Sequence, residues 1–285
     1  MRLGPLRPVV QRLSMPARAR PTFLVIGAQK SGTTSLRRYL VEHPAVLCAE
    51  PKEVHYFDWK FDRGEHWYLT HYPWKSQVRD VRKSISIEPA VGEATPDYLF
   101  YSWVPGRVHA FDPNLRFVVL LRDPVDRAYS QFQMQVRRRG ESRSFEEVLA
   151  LEAMEWPHEH ERIHRDPDHV GTIPLHHSYV ARGLYAEQLE RWFALFERDR
   201  FLVLTSVELL RDTQQTMNRI AAFLGVPERD AESYERLSAG SYEPMAADTR
   251  EQLARLFEPH NRALEELLGR SFEWTQPSAT PAFRR

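Results

Sequence analysis

An internal disulfide is excluded, because Cys48 is the single cysteine of the chain. A reducing compartment fits that, and the protein is read as cytoplasmic. Long apolar runs are missing too: none approaches the ~20 residues that a membrane span needs. The stretch Met1–Arg20 holds arginines at 2, 7, 12, 18 and 20 and three prolines. It lacks the compact apolar centre and small-residue cleavage site of a secretory signal, so residues 1–21 are read as a flexible basic arm. Charge of one sign is not in excess, with 39 basic and 39 acidic side chains. That removes the bulk field expected of a nucleic-acid or membrane-surface binder. Lysine is scarce: Lys30, Lys52, Lys60, Lys75 and Lys83 are all there are. Internal repeats and low-complexity tracts are absent.

What is present is most concentrated at residues 23–35. The apolar run Phe23–Ile26 ends at Gly27, a turn follows, and a helical pattern begins at Thr33. Strand, loop and helix in that order make an anion cradle, since loop N–H groups and a helix N-terminus both face the ligand. Gly27, Gly32 and Thr34 match the spacing of the P-loop pattern. Thr33, however, stands where the phosphate-reaching lysine belongs, and the only lysine is Lys30 inside the loop. Reach to the β- and γ-phosphates of a nucleoside triphosphate is lost, whereas a shorter anion beside the loop remains compatible. A glycine-containing turn that binds nothing is the alternative.

Further along, Val46–Cys48 reads as a second strand, Ser86–Glu88 as a short strand, and Gly92–Tyr98 as a loop. Arg116–Leu121 is a continuous apolar run of the kind buried in a parallel sheet. Asp123 and Pro124 read as N-cap and first helical residue. Helical periodicity marks 145–153 and 183–197, and 200–204 reads as another buried strand. Helices are expected at 213–224 and 248–268, closed by Gly225 and Gly269. The alternation predicts an α/β fold: P-loop-like, three-layer α/β/α, with a central parallel sheet. One domain is expected over 22–275, followed by a tail at 276–285. Residues 154–181 break the pattern and hold six of the twelve histidines. A polar lid is the reading for this segment. Matching zinc ligands are not evident, so no metal is expected.

Ligands of such sheets sit beyond the C-terminal strand ends. Arg122 closes the 116–121 strand, and Ser130 lies two turns into the next helix. A guanidinium fork and a hydroxyl form a receptor for a second phosphate; an arginine capping sheet carbonyls is the alternative. The functional reading requires a ligand with two anionic ends.

These segments resemble those of sulfotransferases. G-A-Q-K-S-G-T-T-S at 27–35 resembles the 5′-phosphosulfate loop, and L-R-D-P-V-D-R-A-Y-S at 121–130 the 3′-phosphate segment. P-K-E-V-H-Y-F-D at 51–58, R-G-L-Y-A-E-Q-L-E-R-W-F at 182–193 and the 241–269 tail are similar to the heparan-sulfate-sulfotransferase-like branch. The likeness spans Thr22 to Trp274 and points to a soluble, bacterial-type member. It implies 3′-phosphoadenosine-5′-phosphosulfate (PAPS) as donor and 3′-phosphoadenosine-5′-phosphate (PAP) as product. Lys30, Ser31, Gly32, Thr33, Thr34 and Ser35 would hold the 5′-phosphosulfate, with Lys30 also catalytic. Arg122 and Ser130 would hold the 3′-phosphate. Glu53 would be the catalytic base and His55 a neighbouring acceptor-site residue. The implied acceptor is a carbohydrate, glycolipid or small hydroxyl or amine compound.

Two positions depart from the resemblance. Ala94 stands where the glycosaminoglycan enzymes often carry a lysine, so a second catalytic cation is missing. Ser238–Tyr242 replaces a basic nucleotide loop, leaving Ser241, Tyr242 and backbone N–H groups as its contacts. Arg137–Arg139 reads either as a steering patch for an anionic acceptor or as a solvated helix end. The aromatics at 56–74 read either as sugar-stacking residues or as core. A P-loop nucleotide kinase using ATP and Mg²⁺, and a non-catalytic nucleotide-binding module, are the rival functions.

Overall fold

The computed structural model describes residues 17–165, 176–230, 234–235, 242–272 and 274, without the side chains at 163 and 164. Along the chain run β1 (Phe23–Gly27), α1 (Thr33–Val41), β2 (Val46–Cys48), α2 (Gly64–Leu69) and α3 (Lys75–Ile85). Next come β3 (Ala90–Ala94), α4 (Val104–Phe111), β4 (Arg116–Leu121), α5 (Pro124–Arg139) and α6 (Phe145–Arg165). The chain continues with α7 (Tyr185–Phe193), β5 (Phe201–Thr205), α8 (Ser206–Arg211), α9 (Thr213–Leu224) and α10 (Ala247–Leu268). No described helix is long and apolar enough to cross a membrane. Two compact units emerge: Met1–Leu121 with Arg191–Gly240, and Arg122–Glu190 with Ser241–Arg285.

The first unit is built on five parallel strands in the order β2-β3-β1-β4-β5. This is the P-loop-like α/β/α arrangement of a central parallel sheet and flanking helices that the alternating pattern predicts. From β1 the chain moves out to β2 on one side, returns through β3, and crosses to β4 on the other. The loop after β1 therefore opens at the reversal of strand order, where such sheets bind ligands. Every residue of β1 is buried, as are the last five of β4, because both faces of the sheet are covered. Phe23, Val25, Val118 and Leu120 pack with Leu36 and Leu40 of α1 and Ile220 of α9. Phe117 meets the rings of Trp192, Phe196 and Phe201 at 4.7–4.9 Å. Each such side chain contributes ~1.5–3 kcal/mol by leaving water.

The strand expected at Ser86–Glu88 is displaced: Ser86 ends α3 in a left-handed turn, and the strand is Ala90–Ala94. Glycine at 92 and a charged residue at 93 hide it from pattern reading. Gly92 is there because a Cβ would lie 2.5 Å from the Phe23 carbonyl oxygen. Glu93 is tolerated because its carboxylate is hydrogen-bonded on both oxygens, as described below. The expected loop at Gly92–Tyr98 is accordingly strand as far as Ala94, followed by a 3-10 turn at Pro96–Leu99.

In the second unit, Asp123 caps α5 by accepting from the Val125 and Asp126 N–H groups. Burial, with Asp126 beside it, lifts the Asp123 carboxyl to about 6. Val125, Phe132, Phe145, Val148, Leu253 and Phe257 form the core shared by α5, α6 and α10. Arg127 is fully buried beside it and donates to Gln131 Oε1 and to the Tyr179 carbonyl; burial lowers its guanidinium to about 10. The helix expected to stop near 153 runs on through Pro157 to Arg165. His158 and His160 of the anticipated lid are thus helical, His176 and His177 follow later, and His169 lies outside the described residues. Residues 1–16, Ser238–Ser241 and the 276–285 tail lie outside them as well.

Candidate active site

The loop after β1 begins with the Ala28 N–H donating to the Leu120 carbonyl at 2.7 Å. Two left-handed residues then turn the chain, Lys30 at φ 71° and Gly32 at φ 101°. Gly32 precedes α1, whose N-terminus carries no side-chain cap and no acidic residue in its first turn. The N–H groups of the Thr33–Ser35 turn therefore face the loop with their partial positive charge uncancelled by a side chain. Ser31 is 1% exposed, and its hydroxyl has no hydrogen-bond partner among the described residues. A buried orphan hydroxyl costs free energy unless a ligand completes it. An anion seated on the loop would do so, and the residues present fit the phosphosulfate end of the implied donor.

The segment 51–58 is tied to this loop by a lysine. Lys52 Nζ donates to Thr34 Oγ1 at 2.8 Å and to Glu53 Oε1 at 2.5 Å. Glu53 and His55 are both left-handed, at φ 61° and 56°, a conformation that L-residues adopt only when their surroundings impose it. The Glu53 N–H donates to the Ala94 carbonyl at 3.2 Å. His55 Nδ1 lies 2.7 Å from Asp58 Oδ2, and its Nε2 lies 3.9 Å from Glu53 Oε2. Burial works against the imidazolium, but the Asp58 hydrogen bond and the charges of Asp58, Asp97 and Glu53 outweigh it, so His55 is raised above its ordinary value. Burial pushes the Asp58 carboxyl up as well.

Asp97 joins this cluster and accepts from Gln29 Nε2 at 3.3 Å. His55, Asp58 and Asp97 bring possible ligand atoms within 4.8 Å of one another. Within it Asp58 Oδ2 engages His55 Nδ1 and Gln29 donates to Asp97. Beneath it lies Glu93, 2% exposed. Tyr68 and Tyr98 donate to its Oε1 at 2.7 and 3.0 Å, and Thr95 donates to Oε2 at 2.6 Å. Burial raises this carboxyl despite those bonds.

The expected donor residues divide between the two units. Lys30–Ser35, Glu53 and His55 belong to the first; Arg122, Ser130 and Tyr242 belong to the second, and Ser241 is not described. Arg122 directly follows β4, and its carbonyl accepts from the Tyr185 hydroxyl at 2.9 Å. Ser130 is buried on α5. Tyr242 packs edge-on against Tyr129 at 5.6 Å, with the Arg137 guanidinium 5.9 Å from its ring. Sequence reasoning missed Asp58, Asp97, Gln29 and Tyr98. The His–Asp spacing of three at 55 and 58 was the available signal for the first; nothing local announced the others. The aromatics at 56–74 divide: Tyr56, Phe57, Tyr68 and Tyr72 are core, whereas Phe61 and Trp74 are exposed.

A parallel sheet whose central strand opens into a left-handed turn and an uncapped helix N-terminus defines an α/β protein of P-loop type, an arrangement whose loop can receive an anion. Its particular family follows from sequence: residues 20–258 match the sulfotransferase domain, and the chain belongs to that family. A sulfotransferase of Alicyclobacillus acidocaldarius with a known crystal structure is 33% identical, covers 90% of this chain and 100% of its own, and superposes with a TM-score of 0.69. Human bifunctional heparan sulfate N-deacetylase/N-sulfotransferase 3 is 28% identical over 87% of this chain and 30% of its own length. Mouse heparan sulfate glucosamine 3-O-sulfotransferase 3B1 is 26% identical over 89% of this chain and 65% of its own. The chain thus spans less than two thirds of either of these curated relatives.

Proposed function

We propose that this protein moves the sulfuryl group of PAPS onto a hydroxyl or amine of a carbohydrate, glycolipid or small natural product. The observation that carries the reading is the Lys52 bridge, which places the Glu53 carboxylate beside Thr34 of the donor loop. Family membership and the orphan Ser31 hydroxyl support it.

On this reading Lys30, Ser31, Gly32, Thr33, Thr34 and Ser35 hold the 5′-phosphosulfate. Arg122 and Ser130 take the 3′-phosphate, with Ser241 and Tyr242 as further contacts. The donor supplies an activated sulfuryl group and a phosphate leaving group. Glu53 accepts the proton of the attacking hydroxyl or amine as the new bond to sulfur forms, a role worth ~10²–10⁴-fold. Lys30 and the loop N–H groups stabilise the charge that collects on the phosphate as the old S–O bond breaks. His55, held by Asp58, orients the acceptor beside Glu53. Lys52 is a cation already in place although position 94 is alanine. The single cysteine supports a reducing, cytoplasmic setting.

Two experiments test the reading. PAP should raise the melting temperature, and Lys30→Ala and Arg122→Ala should each weaken that rise. Stabilisation by ATP and Mg²⁺ with none by PAP would favour the kinase instead. Labelled sulfate transfer from PAPS onto a panel of sugars, lipids and phenols would identify the acceptor. Binding of PAP with no turnover by any route would favour the non-catalytic module.

A further inference from the structure

The segment that carries Glu53 and His55 is held in an unfavourable conformation, and one hydroxyl secures two of its N–H groups. Tyr98 is fully buried. Its oxygen accepts from the Tyr56 N–H at 3.0 Å and from the Phe57 N–H at 3.4 Å. A phenol has one hydrogen to give and two lone pairs. With both lone pairs taken, that hydrogen goes to Glu93 Oε1 at 3.0 Å. Glu93 is the terminal acceptor of the group: Tyr68 and Thr95 also donate to it, and the Tyr72 hydroxyl lies 2.5 Å from that of Tyr68. The direction of every bond is therefore set by the buried carboxylate of Glu93 on β3.

Other contacts grip the carbonyls of the same segment. Arg107 donates to the Phe57 and Asp58 carbonyls at 3.0 and 3.1 Å, and Lys60 Nζ to the Val54 carbonyl at 3.1 Å. Among the described residues Tyr98 is the side chain that accepts from N–H groups between Val54 and Phe57. Left-handed φ at Glu53 and His55 is strained and persists only under such restraint.

We propose that Tyr98 is a positioning residue for the proton-accepting carboxylate: locked on Glu93, its hydroxyl holds the turn that presents Glu53 and His55. The proposal rests on reading Glu53 as the base. Tyr98 touches neither donor nor acceptor; it acts through the backbone at 56 and 57. Loss of the hydroxyl leaves two buried N–H groups unsatisfied and frees the turn to relax, which should lower turnover without loosening the donor loop at 27–35.

The test uses the full chain, with PAPS as donor and water as the acceptor, read as PAP release. Tyr98→Phe should lower kcat about 10–100-fold while KM for PAPS and the PAP-induced rise in melting temperature stay within twofold of the parent. Glu93→Gln keeps an acceptor for Tyr98 but loses the charge, and should give an intermediate kcat. Amide exchange at residues 53–58 should quicken in both variants. Ile220→Val, a core change on α9, controls for lost stability and should leave kcat unchanged. Glu53→Gln separates the two ideas. If it is inactive while Tyr98→Phe and Glu93→Gln turn over at the parental rate, positioning is overturned and the base stands. If Glu53→Gln is as active as the parent, the reading of Glu53 fails and the proposal fails with it. If Tyr98→Phe loses PAP binding along with kcat, Tyr98 supports the whole unit and not the turn.

Discussion

The Nδ1 of His55 sits 2.7 Å from Oδ2 of Asp58, a carboxylate whose side chain is wholly shielded from solvent. Three acids face the imidazole, Asp58, Asp97 and Glu53, and together they outweigh its burial and raise it. An unfolded histidine titrates near ~6.5, so the folded group keeps its proton to higher pH. Stability linked to His55 is then fully present below about pH 6.5 and is lost as pH climbs through the folded value. Asp58→Asn removes the largest of the opposing charges. NMR titration of the His55 ring should show its midpoint falling in that variant; an unchanged midpoint would remove Asp58 as the cause.

Lys52 joins Thr34 to Glu53, and cutting that link should separate donor binding from turnover. Lys52→Ala removes a cation that lies against the proposed base and against the first turn of α1. A charge-assisted pair at such a site contributes about 1.5–3 kcal/mol. We expect kcat to fall on the order of 10–100-fold, with the PAP-induced melting shift largely kept because Lys30 and the loop N–H groups remain. A variant that loses the melting shift and keeps kcat would show that Lys52 belongs to donor binding alone.

The strand–loop–helix at 23–41 was legible because β1 is uniformly apolar and Gly27, Gly32 and Thr34 keep a spacing that backbone geometry demands. β2, β4, α9 and the capped start of α5 were legible for similar local reasons: continuous apolar runs, an Asp-Pro start, a glycine stop. β3 was not, because a buried glutamate at 93 is tolerated only through the hydrogen bonds it accepts from Tyr68, Tyr98 and Thr95, and no pattern near residue 93 announces those hydroxyls. The same holds for the site. Glu53 and His55 came through resemblance, but the Lys52 bridge, the Asp58–Asp97 cluster and the Tyr98 hydroxyl depend on contacts between segments up to 42 residues apart. Pro157 hid the second half of α6, since an interior proline ordinarily ends a helix.

Gly92 marks where β3 and β1 come closest. A Cβ there would stand 2.5 Å from the Phe23 carbonyl and about as near its ring, and the obstruction is partly backbone that cannot swing aside. Overpacking of this kind costs about 1–3 kcal/mol. Gly92→Ala should lower the urea midpoint accordingly, whereas Gly106→Ala, where a Cβ meets nothing within 4 Å, should change it little. Equal midpoints for the two variants would contradict the close approach.

Glu152 makes the sharpest case for pH in the second unit. Its carboxylate accepts from the N–H groups of Tyr179, Val180 and Ala181 at 2.7–2.9 Å. Those bonds favour the charged form, yet burial outweighs them and lifts the group from 4.5 to about 7. Between these two values the folded chain holds a proton that the unfolded chain has released. Stability must therefore fall as pH rises from about 4.5 to about 7 and level off above, by a total on the order of 3 kcal/mol at most. Glu152→Gln cannot titrate. The unfolding free energy of the parent minus that of Glu152→Gln should accordingly drop by about that amount across the window, measured by urea denaturation at fixed ionic strength. A difference that stays constant with pH would mean that the three N–H groups, and not burial, govern the carboxyl.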